Sequence, residues 1–269
     1  MNRLGQLIRE FVDSVTASAV GDYAVTESET RQFDRPSALT VSSTNGGITV
    51  RGEDRDDVVV DVTWHGRSQS AIDSARLEAT GGDDEPLHLE IDHGNDPGDV
   101  GVDLSIAVPE ATTVDSLETV NGEITLSDAT GPADLSTKNG SIAVERVDGA
   151  VDLRALNGEV TVSEAPGIER VETKNGAIEV DLRDLQGDTT IGTATGSIDL
   201  ALDPSLDADL ACETNMGSID VPVLDRSSSA IGKTTVTGVL GAGGPDLFVE
   251  ANVGSIEVRS LEADGDRPD

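Results

Sequence analysis

Four octapeptides, TVNGEITL, TKNGSIAV, ALNGEVTV and TKNGAIEV, place their glycines at Gly122, Gly140, Gly158 and Gly176, three equal steps of 18 residues. A fixed period of this length restricts the chain to architectures that reuse one supersecondary unit, each copy burying its apolar face against the next. The series continues at wider spacing through TATGSIDL (Gly196), TNMGSIDV (Gly217) and ANVGSIEV (Gly254). The final gap of 37 residues is about two periods, and STNGGITV, with Gly46, stands alone near the start.

Residue type is held by column. Two positions after the glycine come Ile48, Ile124, Ile142, Val160, Ile178, Ile198, Ile219 and Ile256, and four after come Val or Leu. Five positions before it stand Val41, Leu117, Leu135, Leu153, Val171, Ile191, Cys212 and Val249, and three before stand Ser, Thr or Ala. Polar residues fill most gaps, the period-two alternation of strands with one buried face. Alternation carried straight through Asn-Gly would send positions −3 and +2 to opposite faces. The chain must therefore shift phase there, and a corner using the positive φ that Asn and Gly tolerate does this. Two all-β architectures satisfy the pattern: a β-solenoid with about 18 residues per rung, or a meander of Asn-Gly hairpins. The solenoid explains why type is held within each column and why a second glycine recurs at Gly131, Gly149 and Gly167. A meander has no need of that stacking.

The stretch 37–109 reads differently, with candidate strands VVVDVTWH, LHLEIDH and VDLSIAVP, no fixed period, and turn signals at 81–86 and 94–98. It predicts an antiparallel β part preceding the repeat solenoid of 110–260, the two forming one β-repeat domain over 37–260. In 1–36, Leu4, Leu7, Ile8, Phe11, Val12 and Val15 recur at helical spacing. That segment is expected to be a short helix and linker, the helix capping the open end of the sheet or, alternatively, lying on a membrane surface. Residues 261–269 read as an acidic tail.

Charge narrows the function classes. Eighteen Lys and Arg against 52 Asp and Glu give a net charge of −34, which opposes nucleic-acid binding, since phosphate recognition needs clustered cations. Lysine is supplied by Lys138, Lys174 and Lys233 alone, and aromatic residues make up 2%. In these respects the composition resembles the proteins of salt-in halophilic archaea, whose carboxylates keep a hydrated, self-repelling surface. Cys212 is the sole cysteine, so an intrachain disulfide and a thiolate zinc cluster are excluded, and it is expected in the core. No apolar run approaches a membrane span and no signal peptide is evident. The expected location is cytoplasmic, with the membrane or cell-envelope periphery as the alternative.

Chemical motifs are few. Gly232-Lys233-Thr234-Thr235 looks like the end of a phosphate loop, but Ser227 stands where the pattern needs glycine. His88 and His93, with Asp92 between, sit an odd number of residues apart on an alternating strand, so they point to opposite faces unless the strand ends between them, and they read as solvated rather than metal-binding. His65 beside Trp64 reads as edge packing. The outward column Glu118, Ser136, Arg154, Glu172 mixes signs, as a solvated face does. One Trp and one Tyr, Trp64 and Tyr23, are a poor endowment for stacking sugars, and no nucleophile elbow is present.

The serial T-x-NG-x-I-x-V units, opened by ITVRGEDRDDVVVDVTWHG and closed by GAGGPDLFVEANVGSIEV, resemble the DUF4097 family of β-strand-repeat proteins, candidate adhesins, over roughly Ser37–Arg259. The resemblance implies a solenoid-like scaffold of unassigned biochemical activity, often on or near the cell envelope. The expectation is a non-enzymatic scaffold or adhesin-like binding module with protein, glycan or self-association partners. No catalytic, cofactor-binding or metal-binding residue is assigned, and the ligand-binding residues are unknown. A carbohydrate-active solenoid enzyme and a self-assembling filament scaffold are the alternatives.

Overall fold

The computed structural model describes residues 23–94, 97–223, 229–230 and 233–261. The expected N-terminal helix, Gly232 and the tail 262–269 lie outside the described residues. The chain divides into two compact units, Met1–Gly140 and Ser141–Asp269.

The first unit contains β1 (Val25–Asp34), β2 (Ala38–Ser42), β3 (Ile48–Glu53), β4 (Asp57–Gly66), a one-turn helix α1 (Gln69–Ile72), β5 (Arg76–Thr80), β6 (Leu87–Asp92), β7 (Val100–Pro109), β8 (Thr113–Asn121), β9 (Ile124–Thr130) and β10 (Ala133–Asn139). One ladder runs β5–β6–β2–β8–β10 and the other β1–β4–β7–β3–β9. Pairing is antiparallel for β5–β6, β1–β4 and β4–β7, and parallel elsewhere in these ladders. The antiparallel part is therefore smaller than the expected 37–109, because β2 and β3 already form a parallel rung. STNGGITV is that rung: Val41 lies in register with Leu117 and Ile48 with Ile124. Although first in sequence, it stacks between β6/β7 and β8/β9.

The linker expected up to residue 36 contains β1, which pairs with β4 along ten residues. Its pattern is hard to read because the half-buried positions are Val25, Thr26, Glu27, Glu29, Arg31 and Phe33, three of them charged. Main-chain pairing and the Arg31–Glu29 ion pair, 3.0 Å, hold what an apolar face normally would.

In the second unit lie β11 (Ile142–Asp148), β12 (Ala150–Asn157), β13 (Val160–Ser163), β14 (Gly167–Asn175), β15 (Ile178–Leu182), β16 (Thr189–Thr195), β17 (Ile198–Leu202), β18 (Ala208–Met216), β19 (Ile219–Asp220), β20 (Ser229–Ala230), β21 (Lys233–Leu240), β22 (Asp246–Val253) and β23 (Ile256–Ser260). The parallel ladders are β11–β13–β15–β17–β23–β19 and β12–β14–β16–β22–β18, with β21 antiparallel on the outer edge of β18. Ile142, Val160, Ile178, Ile198, Ile256 and Ile219 thus stack in register. So do Leu153, Val171, Ile191, Val249 and Cys212. Parallel stacking of identical positions is the β-solenoid and excludes the hairpin meander, in which neighbouring strands would run antiparallel.

One expectation is overturned here. The 37-residue gap between Gly217 and Gly254 is not two periods of stacking, because β22/β23 insert between the Gly196 rung and the Gly217 rung. The Gly217 rung is left outermost of the parallel array, and its Ile219 and Val221 are only half-buried.

The corner glycines meet the expected demand in part and a second one besides. Gly46 (φ 124°) and Gly140, Gly158, Gly196 and Gly254 (φ 152–158°) have the positive φ expected at the corner, whereas Gly122, Gly176 and Gly217 do not. Space is the demand they share. A Cβ on Gly122 would sit 1.9 Å from Gly46 O, and one on Gly196 would sit 1.8 Å from Gly176 O. Beside this column, the buried hydroxyls of Thr119, Thr137, Thr173, Thr193 and Thr214 donate to the carbonyl oxygens of Gly46, Gly122, Gly158, Gly176 and Gly254 at 3.0–3.2 Å, satisfying an otherwise costly polar column. Left-handed backbones occur at the opposite corner, at Asp128 (φ 54°), Arg146 (φ 52°) and Glu164 (φ 53°), again 18 residues apart. Each turns the next residue, Ala129, Val147 or Ala165, into the core.

Candidate binding surface

Outward side chains follow the same registers as the core. In the first unit Glu118 lies beside Ser136; in the second, Arg154 lies beside Glu172, with Arg154 Nη2 donating to Asp152 Oδ2 at 2.5 Å. The mixed column expected from sequence is therefore in place. The following ladder in the second unit is not mixed: Glu179, Asp199, Glu257 and Asp220 are neighbours in register. Arg259, one strand position away, donates to Asp199 Oδ1 at 2.9 Å and stands 3.9 Å from Asp181 and 4.0 Å from Glu179. Like charges directly opposite on adjacent strands are destabilising. Because such exposed repulsion is screened as the Debye length falls from about 10 Å at 0.1 M to about 3 Å at 1 M salt, the thermal midpoint followed by circular dichroism should rise with KCl. Glu257→Gln should raise it at 0.1 M and lose most of that gain at 1 M. A midpoint indifferent to salt would remove this account of the −34 charge.

An open groove of about 280 Å³ in the first unit is lined by Glu27, Glu29, Arg31, Trp64, Ile72 and Arg76 among others. Its polar groups are already engaged. Arg31 donates to Leu77 O at 2.7 Å and to Glu29 at 3.0 Å. Gln69 donates to Glu27 at 2.7 Å, and Arg76 bonds Glu78 at 2.8 Å and Asp92 at 2.6 Å. Trp64 is 6% exposed and belongs to the core, so it offers no platform for a sugar ring.

The histidines separate, His88 exposed and His93 buried at 4% exposure. His93 is thus not solvated, contrary to the sequence reading: the strand ends at Asp92, and the ring turns under the first Asn-Gly corner, where Thr44 N–H donates to Nε2 at 3.1 Å. That bond requires a bare Nε2. Burial holds the imidazole below its ordinary value of 6.5, opposed by the Val100 main chain and the Asp92 charge. The unfolded chain therefore takes up this proton first. The stabilisation is full above pH 6.5 and is lost as pH falls through the depressed folded value. His93→Gln, which keeps an acceptor and does not titrate, should flatten the fall in thermal midpoint between neutral and mildly acid pH. An unchanged slope would exonerate His93.

His65 lies at the sheet margin, Nε2 3.1 Å from Asp103 Oδ2 and Nδ1 3.4 Å from Thr26 Oγ1, with the Tyr23 ring 6.1 Å away. Asp103 also accepts from Gly47 N–H at 2.8 Å. Lys233 opens the edge strand β21, so the phosphate-loop-like segment has no strand-loop-helix setting. Cys212 is fully buried in the Val249 column, and burial pushes its thiol up to about 12. Among the described residues no helix is long and apolar enough to cross a membrane.

A rung-stacked array opened and closed by antiparallel strands is the setting in which family membership becomes readable. Residues 34–259 match the family model described as Toastrack DUF4097. The chain belongs to this family. No curated protein matches the sequence. Solved structures that resemble this Toastrack chain include a proposed cell-adhesion protein from Clostridium sporogenes, 13% identical, covering 88% of this chain and 100% of its own, with a TM-score of 0.36. A proposed adhesin from Bacteroides fragilis is 13% identical over 86% of this chain and 97% of its own, TM-score 0.33. A proposed lipid-binding protein from Parabacteroides distasonis is 14% identical over 87% and 97%, TM-score 0.43. At these values the likenesses carry no functional argument.

Proposed function

We propose that this Toastrack chain is a non-enzymatic binding or scaffold module that engages a protein, a glycan or a second copy through the outward faces of its stacked strands. The observation that carries this reading is the register itself: within each unit outward residues lie side by side along parallel rungs, Glu118 beside Ser136 in the first and Arg154 beside Glu172 in the second. A periodic face presents many equivalent shallow contacts to an extended partner, whereas chemistry on a small substrate needs a few polar groups converging in a concave site. The groove of the first unit supports the same reading, since its arginines are committed to neighbouring carboxylates and to the main chain. The excess of carboxylates fits a protein that works in concentrated salt, where a self-repelling surface stays hydrated.

The test is a glycan array probed with the full chain in molar KCl, followed by a reducing-end assay on every glycan retained, with light scattering across protein concentration for self-association. Retention without new reducing ends, or concentration-dependent assembly, supports the module. Release of reducing ends overturns it in favour of a carbohydrate-active enzyme.

A further inference from the structure

The Asn-Gly corners carry a chemistry that the folding argument leaves unused. Each asparagine side-chain amide carbon is an electrophile four bonds from the next main-chain nitrogen, the spacing that closes a five-membered ring, and the glycine there offers no Cβ to block attack; asparagine is counted among the thermolabile residues. In this fold both partners are restrained. Gly122 N–H donates to Asn139 O at 2.9 Å and Gly176 N–H to Thr195 O at 3.0 Å, so neither nitrogen is free. The amides bond along the stack as well. Asn121 Nδ2 donates to Asn45 Oδ1 at 2.7 Å, and Asn121 Oδ1 accepts from Asn139 Nδ2 at 2.8 Å. Asn121 is thereby held at both ends.

Asn175 is not. Its Nδ2 donates to Asn157 Oδ1 at 2.8 Å, but the next rung places Thr195 in register with it, in place of another asparagine. Its Oδ1 accepts no hydrogen bond among the described residues.

We propose that the Asn-Gly corners are latent deamidation sites shielded by rung stacking, and that Asn175, at the end of its amide ladder, is modified before Asn121. Gly176 N loses its proton and bonds to Asn175 Cγ. The Cγ–Nδ2 bond breaks and ammonia leaves, giving a five-membered succinimide. Water then opens either carbonyl to give aspartate or isoaspartate, with no oxidant or reductant involved. Both products end the ladder. An aspartate oxygen would face the Asn157 Oδ1 acceptor without a proton to share, and an isoaspartyl link would lengthen the main chain where Asn175 and Asn157 pair in register.

The experiment ages the full-length protein at mildly alkaline pH in molar KCl and quantifies the Asn175-Gly176 and Asn121-Gly122 peptides by mass spectrometry, beside a sample in denaturant. In denaturant both sites should react at similar rates. In the folded protein both should slow, with Asn175 about fivefold faster than Asn121, the factor associated with one fewer net hydrogen bond to open. Thr195→Asn, which extends the ladder from an exposed position, should bring Asn175 down to the Asn121 rate, while Thr195→Val should leave it fast. Equal rates at the two sites in the folded protein, no slowing on folding, or no protection by Thr195→Asn would each overturn the proposal.

Discussion

Gly196→Val is expected to cost more than about 4 kcal/mol or to abolish the cooperative transition, placing it in the exceptional tail of single substitutions. A Cβ there would lie 1.8 Å from Gly176 O and 2.6 Å from Gly176 C on one side, and Gly254 presses equally close from the other, its own Cβ position falling 1.7 Å from Gly196 O. All these atoms are main chain, so relief requires two rungs to separate rather than a side chain to rotate. Separation breaks the Gly176 N–H to Thr195 O and Ile178 N–H to Ser197 O bonds, 3.0 and 2.9 Å, that fix the corner in the stack. The comparison is Ser197→Val, one residue on and exposed, expected within about 0.5 kcal/mol of the parent. Urea midpoints measure both. A Gly196→Val protein as stable as Ser197→Val would show that rung spacing yields freely and that glycine is at this corner for some other reason.

How far the fold is legible in the sequence depends on which interaction chooses each feature. The columns are legible because burial chooses them: from Val41 to Val249 the position five before the glycine is fully buried wherever it occurs, and only apolar types meet that demand. Rung order is not legible, because main-chain hydrogen bonds join rungs whose side chains are interchangeable. Ile256 and Val258 suit the neighbourhood of Ile198 and Leu200 no better than Ile219 and Val221 do. The left-handed corner at Asp128, Arg146 and Glu164 hides for a related reason: the backbone accepts acidic and basic residues alike there, and its traces are the early return of an apolar residue at Ala129, Val147 and Ala165 and the glycine that follows at Gly131, Gly149 and Gly167. β1 hides because an edge strand paired along ten residues can do without an apolar face. Of the surface, the mixed outward columns are legible, whereas the uniform carboxylate ladder depends on a stacking order that the sequence does not display. His93 is misread as solvated because alternation fixes the face of a residue inside a strand and says nothing of the residue just beyond its end.

The inverted rung order makes its own prediction. If rungs stacked in sequence order, Ile256 would stand outermost and Ile219 would be interior. The structure reverses them: Ile256 is 1% exposed between Ile198 and Ile219, whereas Ile219 has a strand partner on one side only among the described residues and is half-buried. Removing a fully enclosed isoleucine to alanine loses transfer free energy and leaves a cavity that close-packed neighbours fill poorly, about 2–5 kcal/mol. A half-exposed isoleucine loses less on both counts, because water fills the space and part of the side chain was never desolvated, so about 1 kcal/mol is expected. Ile178→Ala, in the middle of the same column and 1% exposed between Val160 and Ile198, sets the scale for an enclosed position. Equilibrium denaturation should therefore rank Ile178→Ala and Ile256→Ala together, both well beyond Ile219→Ala. Should Ile219→Ala instead match Ile178→Ala while Ile256→Ala is mild, the C-terminal rung lies on the outside and the inserted arrangement of β22 and β23 is wrong.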